Sequence, residues 1–186
     1  MFPVSSFRLW IAEIRFYTQC TSALNLLQTQ NNRKPETGNR ELSLGMNQPE
    51  LAKAVVDRMM SKDWFSQWLG IEVLNIAPGT CTLRMTVKKD MLNGFGIAHG
   101  GITYSLSDSA LAFASNSHGK MAVSVETSIS HLAAVKEGDI LTAIAGERSC
   151  SNKIGVYEIV VTNQTAVTVA LFKGTVYRKS QDWFPA

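Results

Sequence analysis

The sequence predicts an α+β fold in which an antiparallel sheet of about six strands wraps around one central helix. Three observations carry that expectation. The second half of the chain is a succession of Val-, Ile- and Thr-rich segments joined by short connections, the mark of antiparallel neighbours. Ahead of them lies one long segment, from about Gly101 to Ser117, with apolar residues at helical spacing and few bulky polar side chains. Such a helix is expected to be covered on most sides. Finally, 186 residues are enough for one domain with a substantial core and too few to expect two.

Each element follows from its local pattern. From Pro49 to Asp63, Leu51, Val55, Met59 and Met60 recur at helical spacing, with Pro49 in the first turn and Glu50 beside it, which predicts a short amphipathic helix. The next stretch, WFSQWLGIEVLNIAPGTCTLRMTV, reads as two antiparallel strands around a Pro78-Gly79 turn. Strict alternation from Thr80 to Val87 points Cys81, Leu83, Met85 and Val87 to the core. On the long helix, Ile102, Leu106, Ala110 and Phe113 share a face. Strands then follow at AVSVETSIS, DILTAIAGERSC, KIGVYEIVVT and AVTVALFKGTVY, punctuated by Glu137-Gly138-Asp139, Ser151-Asn152 and Asn163-Gln164. A sheet of this kind curled around a helix is the hotdog fold.

Residues 1–45 read as an extension outside the domain, which spans 46–186. FRLWIAEIRFY interrupts its apolar run with Arg8, Glu13 and Arg15, unlike the continuous core of a secretory signal, and is too short and charged to cross a bilayer. QTQNNRKPETGNRE is polar and turn-rich, the composition of a linker or disordered segment. The extension also carries five Arg or Lys against three Asp or Glu, so about two of the formal +3 charges lie outside the domain. A near-neutral domain without a basic face excludes the usual nucleic-acid binder. Cys20, Cys81 and Cys150 are odd in number and widely spaced, with no ligand-spaced histidine, so neither a disulfide framework nor a zinc site is expected. A reducing compartment, the cytoplasm, fits best, with no membrane association.

The segment that carries chemistry is MLNGFGIAHGGITYSLSDS, residues 91–109. It sets Asn93 and His99-Gly100-Gly101 at the start of a small-residue helix and places a lone acid, Asp108, two turns inside it. A helix N-terminus offers free N–H groups and the positive end of the dipole, and glycine there admits close approach by a substrate.

This ordered set, with SLSDSALAFASNSHG, GVYEIVVTN and TVALFKGTVYR, resembles the hotdog-fold acyl-CoA thioesterases of the phenylacetic-acid-degradation type over roughly residues 58–178. The resemblance implies hydrolysis of an acyl-CoA thioester, aromatic or medium-chain, without cofactor or metal. Asp108 is then the general base or nucleophile, the Gly101 amide polarises the carbonyl, and Asn93 and His99 complete the catalytic set. Gly100, Tyr104, Ser128 and Lys136 are the candidate substrate contacts, with Leu111, Trp64 and Phe65 bearing on the acyl pocket. Family members often carry an Asp-Phe-Leu-Arg-Pro-like stretch where this chain has Ser130-His131-Leu132-Ala133-Ala134. The arginine is missing, Lys136 is offered in its place, and neither His118 nor His131 is expected to act.

Gly101 and Asp108 lie seven residues apart, on similar azimuths but about 10 Å apart along a helix. That is too far for one carbonyl to meet both. A second chain with its helix antiparallel across a two-fold axis brings the acid of one opposite the glycine of the other, as the resemblance implies for a homodimer or homotetramer. Two alternatives stay open: a hotdog hydratase or dehydratase acting on an acyl thioester, and an acyl-CoA-binding domain without catalysis.

Overall fold

A computed structural model describes residues 45–185. The expected extension therefore lies almost wholly outside the described residues. The elements are α1 (Gln48–Met60), α2 (Trp64–Leu69), β1 (Glu72–Ala77), β2 (Thr80–Thr86), a 3₁₀ turn (Lys89–Met91), α3 (Gly100–Asn116), β3 (Lys120–His131), β4 (Ile140–Cys150), β5 (Ile154–Thr162) and β6 (Thr168–Asp182).

The six strands form one antiparallel sheet in the order β1-β2-β4-β5-β6-β3. β1 and β2 make the expected hairpin, Ala77 paired with Thr80 across Pro78-Gly79, where Gly79 takes a φ of 75° that a larger residue would resist. The chain then leaves this edge through α3 and re-enters at the opposite edge as β3, which pairs only with β6. That excursion lays α3 across the concave face.

The period-2 pattern read in β2 continues in its neighbours. Cys81, Leu83 and Met85 of β2, Leu141, Ala143 and Ala145 of β4, and Tyr157, Ile159 and Val161 of β5 are all buried. Ala170, Phe172 and Val176 extend the same surface on β6. They enclose Leu106, Ala110, Leu111, Phe113 and Ala114 of α3, none more than about 1% exposed. Each large side chain of this set contributes roughly 1.5–3 kcal/mol by leaving water.

The scarcity of bulky polar residues in α3 is matched by how its hydroxyls behave. Thr103 donates to Gly100 O, Ser105 to Gly101 O, Ser107 to Thr103 O, Ser115 to Ala112 O and Ser117 to Ala114 O. These side chains satisfy themselves on their own helix and bring no unpaired donors into the core. At the C-terminal end the buried Asn116 donates to Ala112 O and Ala122 O and accepts from the Ala122 amide and Trp183 Nε1, tying α3 to β3 and to the chain after β6.

The first helix is confirmed with tight N-terminal geometry. Asn47 and Glu50 form a reciprocal capping box, and Leu51, Val55 and Val56 are buried. The stretch WFSQWL, read as part of a strand, is instead the single helix α2. Asp63 caps it by accepting from the Ser66 amide at 2.9 Å, and Gly70 ends it at a left-handed φ of 74°. Among the described residues no helix is long and apolar enough to cross a membrane.

Candidate active site

The loop before α3 is built around Asn93. Its side-chain oxygen accepts from the Phe95 amide at 2.9 Å, its carbonyl accepts from Gly96 at 3.0 Å and its amide donates to Ile97 O at 2.8 Å. This is an Asx-turn, the local reason for Asn followed by Gly94. With Oδ1 engaged, the side-chain NH₂ is what Asn93 offers to its surroundings. The Ala98 amide donates to Val135 O at 2.8 Å, which fixes the loop against the segment that follows β3.

His99 is the N-cap of α3, its Nδ1 accepting from the Gly101 amide at 3.0 Å. Nδ1 therefore carries a lone pair, and the proton of the neutral ring sits on Nε2. The Gly101 amide, expected to face a substrate carbonyl, is in this chain held by the histidine two residues earlier.

Between the loop, the start of α3 and residues 131–135 lies a cleft of about 340 Å³. Asn93, Gly100, Thr103 and His131 are its polar or backbone-exposing walls, and Ile97, Leu132 and Val135 are among its apolar ones. Of the sequence-predicted residues it unites Asn93 and Gly100. Thr103, which the sequence reading did not name, and His131, which it did not expect to act, also line it. The Thr103 hydroxyl donates to Gly100 O at 3.0 Å and lies 3.2 Å from His131 Nδ1.

Asp108 sits half-buried on α3, about two turns beyond Gly100. It makes no hydrogen bond among the described residues. Burial first, and then the negative charge of Asp63, hold its carboxyl above the ordinary aspartate value. Asp63 is the N-cap of α2, and a hydroxyl contact of 2.9 Å between Ser66 and Ser109 joins that short helix to α3 beside the acid. Trp64, Phe65 and Trp68 of α2 stand 76%, 54% and 47% exposed, an apolar cluster on the element next to Asp108.

The remaining candidates are spread out. Tyr104 is partly exposed one turn before Asp108, its hydroxyl bonded to Thr127 and its ring edge-on to Phe172 at 5.4 Å. Ser128 is exposed on β3, opposite Lys173 in the register. Lys136 is exposed in the following turn, where its amide donates to Asp139. Leu111 lies wholly inside the core.

At the far end of α3, His118 Nε2, Glu147 and Cys150 place possible metal ligands within 4.8 Å of one another. Glu147 Oε2 already meets His118 at 2.6 Å and accepts from the buried Tyr157 hydroxyl at 2.8 Å. His118 thus has a partner that its place at a helix terminus did not announce.

Known proteins are similar to this chain in sequence and fold. Residues 95–170 match the model of the family described as the thioesterase superfamily. The chain is 41% identical over 120 residues to the acyl-coenzyme A thioesterase PaaI of Escherichia coli, a span of 64% of this chain and 86% of that one. The chain belongs to the thioesterase superfamily. Membership makes it a thioester hydrolase with the hotdog fold expected from the sequence. The structure of E. coli PaaI, from the phenylacetic acid degradation operon, superposes with a TM-score of 0.72 at 37% identity, covering 73% of this chain and 99% of that one. A thioesterase from Streptococcus pneumoniae, solved with coenzyme A, matches with a TM-score of 0.59 at 27% identity, covering 60% of this chain and 88% of its own.

Proposed function

We propose that this thioesterase-superfamily chain hydrolyses an acyl-CoA thioester to the free acid and coenzyme A, with an aromatic acyl group such as phenylacetyl or hydroxyphenylacetyl, or a medium-chain one. The observation that carries the proposal is Asp108. A carboxylate raised in pKa, with no hydrogen bond among the described residues, is a stronger base than a solvated one and is free to take up a proton. The coenzyme A found with the pneumococcal relative and the operon of the E. coli relative support the substrate class.

In the proposed reaction Asp108 either removes a proton from water as it attacks the thioester carbon, or attacks that carbon itself to give a mixed anhydride that water then opens. The carbonyl oxygen becomes an oxyanion at the start of α3, replacing His99 Nδ1 as the acceptor of the Gly101 amide. The C–S bond breaks and coenzyme A departs as a thiolate, a leaving group good enough that no metal is called for. Asn93 donates to water or substrate through its side-chain NH₂, and His99, released from its cap, remains beside the oxyanion.

One chain separates these parts by about 10 Å of helix, so the proposal places the site between two protomers, Asp108 of one facing the start of α3 in its partner. β3 supplies a means of association. It is a 12-residue edge strand with Val123 and Val125 exposed at 44% and 59%, and such an edge invites another strand. The reading assigns the chain to the cytoplasm as a homodimer or homotetramer.

The test is thiol release from phenylacetyl-CoA, hydroxybenzoyl-CoA, hexanoyl-CoA and crotonyl-CoA by wild type and Asp108→Asn. Hydrolysis that falls about 10²–10⁴-fold in the variant supports the reading, that range being usual for loss of a general base. Full activity in the variant overturns Asp108's role. No thiol from any ester, or hydration of crotonyl-CoA in its place, overturns the hydrolase assignment for these substrates.

A further inference from the structure

His131 closes β3, and its ring lies over the first residue of α3. A Cβ added to Gly100 would meet His131 Nε2 at 3.1 Å. Glycine at that position is what lets the imidazole approach the helix start so closely.

The hydrogen bonds around Thr103 fix the ring's chemistry. A hydroxyl has one proton, and a carbonyl oxygen can only accept, so the Thr103 proton is directed to Gly100 O, 3.0 Å away. With the Thr103 proton on Gly100 O, His131 Nδ1, 3.2 Å from the same hydroxyl oxygen, takes the donor's part. In the neutral ring this leaves Nε2 as a lone-pair acceptor at the cleft shared with Asn93 and Gly100.

We propose that His131 is a substrate-binding residue whose Nε2 accepts a hydrogen bond from the pantetheine amide nearest the thioester. The proposal rests on the acyl-CoA reading above. A thioester carbonyl and the phosphates of coenzyme A are acceptors only and cannot serve this nitrogen. With the carbonyl at the Gly101 amide, the first donor along the substrate is the amide N–H three bonds from sulfur. His131 Nε2 stands against Gly100, one residue before the Gly101 amide assigned to that carbonyl. Leu132, Ala133 and Ala134, which follow His131 in the cleft wall, offer no charged group for the phosphates, so this contact draws on the middle of the substrate.

Three substitutions separate this role from a structural one. Asn at 131 keeps a polar atom near the Nδ1 position and so the Thr103 contact, whereas Gln extends an acceptor to the Nε2 position. Phe preserves ring volume with neither. The full chain is measured for KM and kcat with the panel esters, and for coenzyme A affinity by calorimetry. Expected are a rise of about 3–10-fold in KM and in the coenzyme A Kd for His131→Phe and His131→Asn, the range of one neutral hydrogen bond. kcat should stay within about twofold, and His131→Gln should recover KM. The KM effect should persist with S-acyl-pantetheine, which lacks the nucleotide.

An unchanged KM and Kd in His131→Phe overturns the proposal. So does rescue by Asn but not Gln, which assigns the residue to Thr103 alone, and so does loss of the effect with S-acyl-pantetheine, which moves the contact to the nucleotide. Should wild type release no thiol, the hydrolase reading fails separately, and the calorimetry still decides His131: a weaker Kd in His131→Phe upholds the contact and an equal one refutes it.

Discussion

At Gly174 the sheet leaves no room for a side chain beneath α3. The glycine lies mid-strand on the core face of β6, between Phe172 and Val176, and takes the position where a side chain would strike Leu111 of the helix. A Cβ there would stand 2.4 Å from Leu111 Cδ2 and 2.9 Å from Cδ1. Ordinary contact begins near 3.4 Å, so Gly174→Ala demands a displacement of about 1 Å. Leu111 is 1% exposed and has no solvent to swing into. Overpacking of this degree costs about 1–3 kcal/mol, offset by the roughly 0.4–1 kcal/mol that Ala contributes by restricting the unfolded chain. The expected net loss is about 1–2 kcal/mol. Gly146 on β4 is the control, because nothing lies within 4 Å of its added Cβ and its φ is not positive. Gly146→Ala should be neutral or gain up to about 1 kcal/mol. Urea unfolding midpoints measure both, and a Leu111→Ala background should relieve most of the Gly174→Ala penalty. Equal losses at the two glycines, or an undiminished loss at Gly174 once Leu111 is truncated, would refute the packing argument.

Two further predictions concern protons. Asp63→Asn keeps an oxygen to accept from the Ser66 amide while removing the charge that adds to burial in raising Asp108. Since the ionised acid is the proposed base, the acidic limb of kcat/KM should move to lower pH, and a limb that stays put excludes Asp63 from tuning the site. Burial alone would raise Glu147, but hydrogen bonds from Tyr157 and His118 prevail and hold it below the usual glutamate value. A lowered carboxyl stabilises the fold above its unfolded pKa and loses that contribution as pH falls through the folded one. The stability gap between wild type and Glu147→Gln should therefore narrow on acidification, as followed by unfolding midpoints over a pH series. A gap that widens would contradict the assignment.

Much of this molecule was legible from periodicity. The alternation from Thr80 to Val87 and the later segments match β2, β4, β5 and β6 because one face of each is buried, the condition under which period two is visible, whereas β3, with no buried residue, was legible from its Val, Ile and Thr content. The small-residue helix was equally plain. α2 was not, since its six residues are too few to display a helical period and its Trp and Phe favour strands by propensity. Its cap signals, Asp63 before and Gly70 after, were present in the sequence and went unweighted. Asn93, the glycines and Asp108 were singled out through their order along the chain. Thr103 and His131 were not, because 28 residues separate them, and only the return of β3 along the far sheet edge brings the ring over Gly100.

The self-bonded hydroxyls of α3 have an evolutionary consequence. A serine that answers only to its own backbone contributes little that alanine lacks, and its loss leaves no partner stranded. Ser105 and the buried Ser107, each bonded only to a carbonyl of its own helix, can accordingly become Ala without stranding a hydrogen-bond partner. Selection on this segment is left to fall on its glycines, its few large apolar residues and one acid. A saturation library would render it as a tolerant rod with a small number of fixed points, and those points would trace the proposed chemistry more sharply than overall similarity does.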